Sequence, residues 1–213
     1  MAEADILPIT PDRLGLALRR HRRLGGLKQD HIAALLGVTQ ATVSRWERGT
    51  HQPDPRQSTR LSALLQAAAD GEADRALRRL VETSTLSVHL VCDTSHRLLA
   101  ASPRRFAEWR RDRDLVGSSL WPFATDAIRV AEAELIGLGW YEPGAAPVLT
   151  WTGAGNGRGI RILAGSMLWE HILLADGSSA RLVTSLRERE TRAFASRWRR
   201  TNVSYVAARS GRN

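Results

Sequence analysis

The sequence predicts two folds joined in one chain: an all-α N-terminal domain of four or five short helices, then an α+β body whose antiparallel sheet gathers its helices on one side. Three observations carry that expectation. Over the first seventy residues, apolar side chains recur at helical spacing in short runs broken by Gly and Pro. From Val88 the period changes to that of strands, with turn chemistry between the runs. Charge divides the chain in nearly the same places: residues 1–70 hold 10 basic and 7 acidic groups, residues 71–185 hold 13 of each, and residues 186–213 hold 8 and 2. The expected domains are therefore 1–70, a helical linker over 71–87, a body over 88–190, and a basic C-terminal helix and tail over 191–213.

The N-terminal elements follow in order. Asp12 to Leu24 places Leu14, Ala17, Leu18 and Leu24 on one stripe with Arg19, Arg20, Arg22 and Arg23 on and around the other, and Gly25-Gly26 stops the helix. A second helix runs from about Lys28 to Leu36 and buries Ile32, Ala33, Leu35 and Leu36; Gly37 supplies the left-handed residue of a sharp turn. Thr39 caps a third helix, Gln40 to Arg48, which turns Val43 and Trp46 inward and leaves Ala41, Ser44, Arg45 and Arg48 on the opposite side. Gly49 ends it, Pro53 and Pro55 keep the next loop extended, and Ser58 to Ala69 forms a further helix through Leu61, Leu64, Leu65 and Ala68.

The stretch Gln29-x3-Ala33-x3-Gly37-Val38-Thr39-Gln40-x2-Val43-Ser44-x-Trp46-Glu47-x-Gly49 resembles the Cro/C1-type helix-turn-helix of the XRE family, over roughly Leu14 to Leu65. A helix of this size fits the DNA major groove, with its N-terminal half at base edges and the preceding helix N-terminus at phosphate. Gln40 suits adenine, Arg45 guanine, Ala41 a thymine methyl, and Ser44 either a donor or an acceptor. Those four positions match the base-contacting positions of the family. Gln29, Thr39 and Arg48 read as phosphate clamps, which fix register without specifying sequence. The four arginines of the first helix fit a solvated face as well as a backbone contact.

Glu72 to Thr83 continues helically, with Ala73, Ala76, Leu77 and Leu80 in a narrow stripe that suits either a dimer stalk or packing on the chain's own body. Val88 to Cys92 and Arg97 to Ala101 read as a hairpin about Asp93-Thr94-Ser95-His96. Helices follow at Pro103 to Arg111 and Asp126 to Leu138, then strands at Val148 to Thr152, Ile160 to Leu163, Leu168 to Leu174 and Arg181 to Leu186, the last pair turning at Asp176-Gly177. This order is similar to a PAS domain: the opening hairpin, the stretch Leu115 to Trp121, and a last strand running into Arg187-Glu188-Arg189-Glu190 fall where that family places them. Two departures are Ser102, where many PAS domains have Asn, and the Pro- and Gly-containing insertion Trp140 to Ala146. The resemblance implies ligand sensing or dimerisation.

Catalysis finds no footing. The lone Cys92 excludes an internal disulfide and thiolate zinc spacing, and a buried thiol explains it. Gly153 to Gly159 lies between two strands, without the strand-to-helix context of a dinucleotide fingerprint or the Lys of a P-loop. His89, His96 and His171 read as packed or solvated histidines, not haem ligands, so no cofactor or metal is expected. Trp109, Trp121, Trp140, Trp151 and Trp169 fit core or interface better than a ligand pocket. In the tail, Glu188 to Arg200 reads as a helix with Phe194 and Trp198 on an apolar side, and Ala207 to Asn213 as frayed.

A net charge of +9 and a pI near 11.2, with Lys28 the single lysine, favour a polyanionic partner. No apolar run reaches a membrane span and Met1 to Thr10 lacks the pattern of a signal peptide, so a cytoplasmic, nucleoid-associated protein is expected. The leading expectation is a bacterial sequence-specific transcription regulator, dimeric on double-stranded DNA and not an enzyme. The alternative is an antitoxin-type autorepressor that binds a protein toxin. The body plan is also similar to the DNA-binding component of activators of gene transfer agent clusters, which would imply an RNA polymerase-associated or sigma-like partner.

Overall fold

The computed structural model describes residues 11–65, 71–142, 144–155, 159–175, 177–187, 191 and 204–205. The expected tail helix and the turn residue Asp176 lie outside these, apart from Thr191.

Among the described residues, four helices form the N-terminal domain: α1 (Pro11–Leu24), α2 (Gln29–Leu36), α3 (Gln40–Glu47) and α4 (Pro55–Leu64). Gly37 has φ 67° and its N–H reaches Ala34 O, closing α2 with the left-handed residue the turn requires. The Thr39 hydroxyl accepts from Thr42 N at 3.2 Å and caps α3. Helix α4 starts three residues earlier than expected, because Pro55 occupies its first turn instead of extending the loop. Asp54 accepts from Gln57 N at 2.8 Å while Gln57 accepts from Asp54 N at 2.9 Å, a reciprocal cap. Leu14, Leu18, Ile32, Val43, Trp46 and Leu61 fill the interior.

Helix α5 (Glu72–Glu82) leads into the body. There β1 (Val88–Cys92) and β2 (Leu98–Ala101) form the hairpin; α6 (Pro103–Trp109) and α7 (Asp126–Glu134) follow, then β3 (Val148–Trp151), β4 (Ser166–Leu173) and β5 (Ser179–Leu186). The strands stand in the order β2-β1-β5-β4-β3, each neighbour antiparallel, and a two-residue β6 (Ser204–Tyr205) adds in parallel beside β3. This is the antiparallel sheet with helices that the PAS resemblance implies.

The inner face of the sheet, with Val91, Val148, Met167, Trp169 and Val183, packs under Phe106 and Trp109 of α6 and Ala131 of α7. The outer face is covered at β1 and β2 by α5, whose Val81 and Leu77 pack on Val88, Leu90, Leu99 and Ala100. Of the expected stripe Leu77 meets the chain's own body, alongside Val81, whereas Ala73 and Leu80 are exposed. Asp74 secures the helix there by accepting from Ala175 N at 3.1 Å on the β4–β5 turn.

Ile160 to Leu163 is not a strand. Ile160 packs into the interior, Arg161 N donates to Trp109 O at the end of α6, and Ile162 O accepts from Gly155 N, so this backbone is satisfied outside the sheet ladder. Most of the expected tryptophans are core: Trp109, Trp140 and Trp169 are buried and Trp121 half-buried, whereas Trp151 is 43% exposed. Cys92 is buried beside the Thr94 hydroxyl.

The two domains are docked. Their buried apolar residues form one continuous cluster from Leu14 to Val183. Across the junction His21 Nδ1 lies 2.9 Å from Gly177 O, the Thr94 hydroxyl donates to Leu65 O at 3.1 Å, and Arg23 pairs with Glu142 at 2.9 Å.

Candidate nucleic-acid interface

Val43, Trp46 and Glu47 face the domain interior, which fixes the side of α3 left to solvent. Gln40, Ala41 and Arg45 are exposed there and Ser44 is half-buried. Of the three expected clamps, Thr39 and Arg48 are exposed and Gln29 is half-buried at the start of α2. The Arg48 Nε donates to Ser44 O at 3.1 Å, and the Thr39 hydroxyl is occupied by its cap and by Thr42 Oγ1 at 2.8 Å.

A network not foreseen from the sequence holds this face. Gln40 Nε2 donates to Gln29 Oε1 at 2.5 Å, and Gln29 Nε2 donates to Glu47 Oε2 at 2.8 Å. Glu47, only 3% exposed, is gripped by Arg22 of α1 through Nε at 2.6 Å and NH2 at 2.8 Å. The hydrogen bonding to Glu47 raises the Arg22 pKa, the mark of a charge-assisted pair. Gln40 is therefore held at its amide before any ligand arrives. Glu47 falls on the inward side with Val43 and Trp46, and a carboxylate in that place is the signal that a cation had to meet it.

The remaining arginines of α1 serve the domain junction. Arg19 and Arg23 lie 3.7 and 2.9 Å from Glu142, and Arg20 is buried at 3% exposure. Arg20 and Arg22 are thus turned from solvent, whereas Arg23 stays on a solvated face.

The body holds a half-open cavity of about 80 Å³ between sheet and helices, lined in part by His89, Trp109, Trp121, Phe123, Ile128 and Met167. An engineered apolar cavity of about 150 Å³ accepts benzene, so this one as it stands takes only a very small molecule or a few waters. His89 is buried, its ring stands edge-on to Trp109 at 4.9 Å, and its Nδ1 has no hydrogen-bond partner among the described residues. Burial, reinforced by Arg105 and Arg181, pushes its pKa well below the usual histidine range, so the ring is neutral. Among the described residues no three His, Cys, Asp or Glu side chains gather in a way that holds a metal ion.

One wall of the cavity is ionic. Arg181 of β5 donates through NH1 to Glu132 Oε2 at 2.6 Å and through Nε to Asp93 Oδ1 at 2.8 Å; Trp140 Nε1 donates to Asp93 Oδ2 at 2.8 Å. Glu132 Oε1 also lies 3.4 Å from His96 Nε2. The insertion Trp140 to Ala146 therefore has a structural use: its first residue closes over the buried carboxylate.

Residues 13–77 match the family of the helix-turn-helix domain, under a third of the chain. No curated protein matches the chain in sequence. Among solved structures, the PAS domain of an HTR-like protein from Haloarcula marismortui is similar over 54% of this chain and 91% of its own, at 19% identity and a TM-score of 0.40. The family match thus falls on the N-terminal helical region, which is joined to an antiparallel sheet with helices.

Proposed function

We propose that the protein is a sequence-specific transcription regulator that binds double-stranded DNA as a symmetric dimer, each α3 in a major groove about 34–36 Å from its mate on an inverted repeat. The observation that carries this reading is the exposed polar face of α3 with Gln40 pre-set by Gln29, Glu47 and Arg22. Gln40, Ala41, Ser44 and Arg45 take base edges; Gln29, Thr39 and Arg48 take phosphates through the donors their internal bonds leave over. Such a regulator acts on the nucleoid in the cytoplasm; among the described residues no helix is long and apolar enough to cross a membrane.

Selection of bound duplexes from random sequence, followed by footprinting, tests the reading; flat, sequence-independent protection rejects it. On the selected operator, Gln40→Ala or Arg45→Ala should each cost about 1–3 kcal/mol and relax one position. Arg48→Ala should instead weaken all sequences alike and reduce the salt slope by about one unit. Gene transfer agent clusters are the first operators to examine, with an RNA polymerase-associated or sigma-like protein as the partner to seek. A small toxic protein that co-purifies with the chain would favour the antitoxin alternative.

A sensory role for the body is favoured by its cavity, lined largely by apolar side chains together with neutral His89, whose Nδ1 has no hydrogen-bond partner among the described residues. That chemistry suits a small apolar molecule with one hydrogen-bonding group. Thermal shift against such molecules should find a stabilising ligand whose effect His89→Phe removes; stabilisation that survives the substitution places the ligand elsewhere.

A further inference from the structure

The domain junction and the cavity wall share one set of buried charges. The body supplies two carboxylates, Asp93 and Glu132, and one guanidinium, Arg181, all nearly inaccessible to solvent. His171 beside them is kept neutral, since burial pushes its pKa down to about 4. Asp93, Glu132 and Arg181 together therefore carry one negative charge in excess. Arg20 of α1 supplies the compensating positive charge from the other domain.

Arg20 is buried at the junction with its Nε and NH1 making no hydrogen bond among the described residues. Burial lowers its pKa to about 10, and Asp93, Tyr141 and Glu142 oppose that shift, Asp93 most strongly. It stays charged at neutral pH, and its compensation acts through space. Its neighbours fix it there: Arg19 and Arg23 flank it on Glu142, and His21 meets Gly177. The exposed pairs on Glu142 contribute little by themselves, because solvent screens them. A buried guanidinium facing a neutral or positive wall is, in contrast, strongly disfavoured.

We propose that Arg20 is a charge latch: the DNA-binding domain stays docked only while the Asp93–Arg181–Glu132 cluster keeps its net negative charge, so a change of charge at the cavity wall releases α1. Because Glu132 and Arg181 line the cavity while Asp93 is bonded both to Arg181 and to Trp140, two residues before the Glu142 that meets Arg19 and Arg23, the wall passes its charge to the DNA-binding domain without a moving lever. This regulation rests on the reading of the two domains as DNA-binding and sensory. The latch itself is measurable without either ligand.

The experiment crosses Glu132→Gln with Arg20→Met in the full chain and follows hydrogen exchange in α1 and in the β4–β5 turn, residues 174–180. Glu132→Gln should speed exchange at both about tenfold when Arg20 is present and less than about threefold in the Arg20→Met background, the signature of coupling between residues that do not touch. Equal effects in the two backgrounds overturn the latch. Arg20→Glu keeps the proposal testable if Glu132→Gln does not fold: a third carboxylate against the cluster should open the junction by about tenfold or more relative to Arg20→Met, and equality of the two overturns it.

DNA binding is measured on the same proteins. Releasing α1 should weaken a two-half-site operator about tenfold and leave a lone half-site unchanged, because only the fixed placement of the domain is lost. Loss of affinity for the half-site as well, with exchange coupled as above, would overturn the operator arm. If no duplex binds the parent chain, the DNA-binding reading fails while the exchange cycle still decides the latch.

Discussion

Replacing Gly15 by alanine is expected to cost the N-terminal domain about 3 kcal/mol, the upper end for overpacking a filled contact. A Cβ at this position overlaps the Trp46 carbonyl oxygen and stands 2.7 Å from the carbonyl carbon. Both atoms belong to the α3 backbone, so no side-chain rotation relieves the clash and α1 must lift off α3. Helix propensity pulls the other way by about 1 kcal/mol, which makes a net loss all the more diagnostic of the crossing. Lifting α1 also carries Arg22 away from Glu47, and with it the support of Gln29 and Gln40. Operator affinity should therefore fall at temperatures where the variant remains folded. Urea unfolding followed by circular dichroism, with half-site titration alongside, checks both effects; an unchanged midpoint contradicts the close approach.

That glycine shows which part of the architecture the sequence could not disclose. Gly37 and Thr39 were legible because a left-handed turn and an N-cap are local chemistry, settled within four residues. The hairpin at Asp93 to His96 and the helices after Ser102 and Thr125 were legible for the same reason, each cap accepting from a backbone N–H three residues on. Gly15 sits in the middle of a helix, where local rules count it only as a cost; its use is the crossing with α3, a tertiary fact. Ile160 to Leu163 carries a strand's composition, but the pairing it lacks is decided by Trp109 and Gly155.

The arginines of α1 mark the same boundary for the site. Their helical positions were plain, yet Glu142, which meets Arg19 and Arg23, lies in a different domain more than a hundred residues along the chain, as does Gly177, which meets the neighbouring His21. A basic helix beside a DNA-reading helix invites the expectation of phosphate contact. Intramolecular carboxylates claim it instead, and they do so because the body is docked there. The polar face of α3 needed no such knowledge, since the inward residues Val43 and Trp46 fix its direction.

Arg181→Met carries the other large effect: at pH 7 it should destabilise the body by about 3–5 kcal/mol, because it leaves Asp93 and Glu132 buried without their cation. Burial alone pushes both carboxyls up; in the parent chain the Arg181 guanidinium reverses this and holds both below the ordinary carboxylate range. The unfolded chain then binds more protons than the folded one in acid. The pair's contribution is fully present above the unfolded carboxylate pKa of about 4 and is lost as pH falls through the lowered folded values. Without Arg181, burial dominates and the folded pKa values rise above the unfolded ones, so the variant gains stability as pH falls toward 4. His89 and His171 reinforce that sign, since Arg181 is among the groups that keep them deprotonated. The gap between the two proteins should therefore be widest at neutral pH and narrow steadily toward pH 4. Urea unfolding of both at pH 7, 5.5 and 4 measures it, and a gap that stays constant across those values would show that Arg181 stabilises by packing between Trp140 and Trp169 and not by charge.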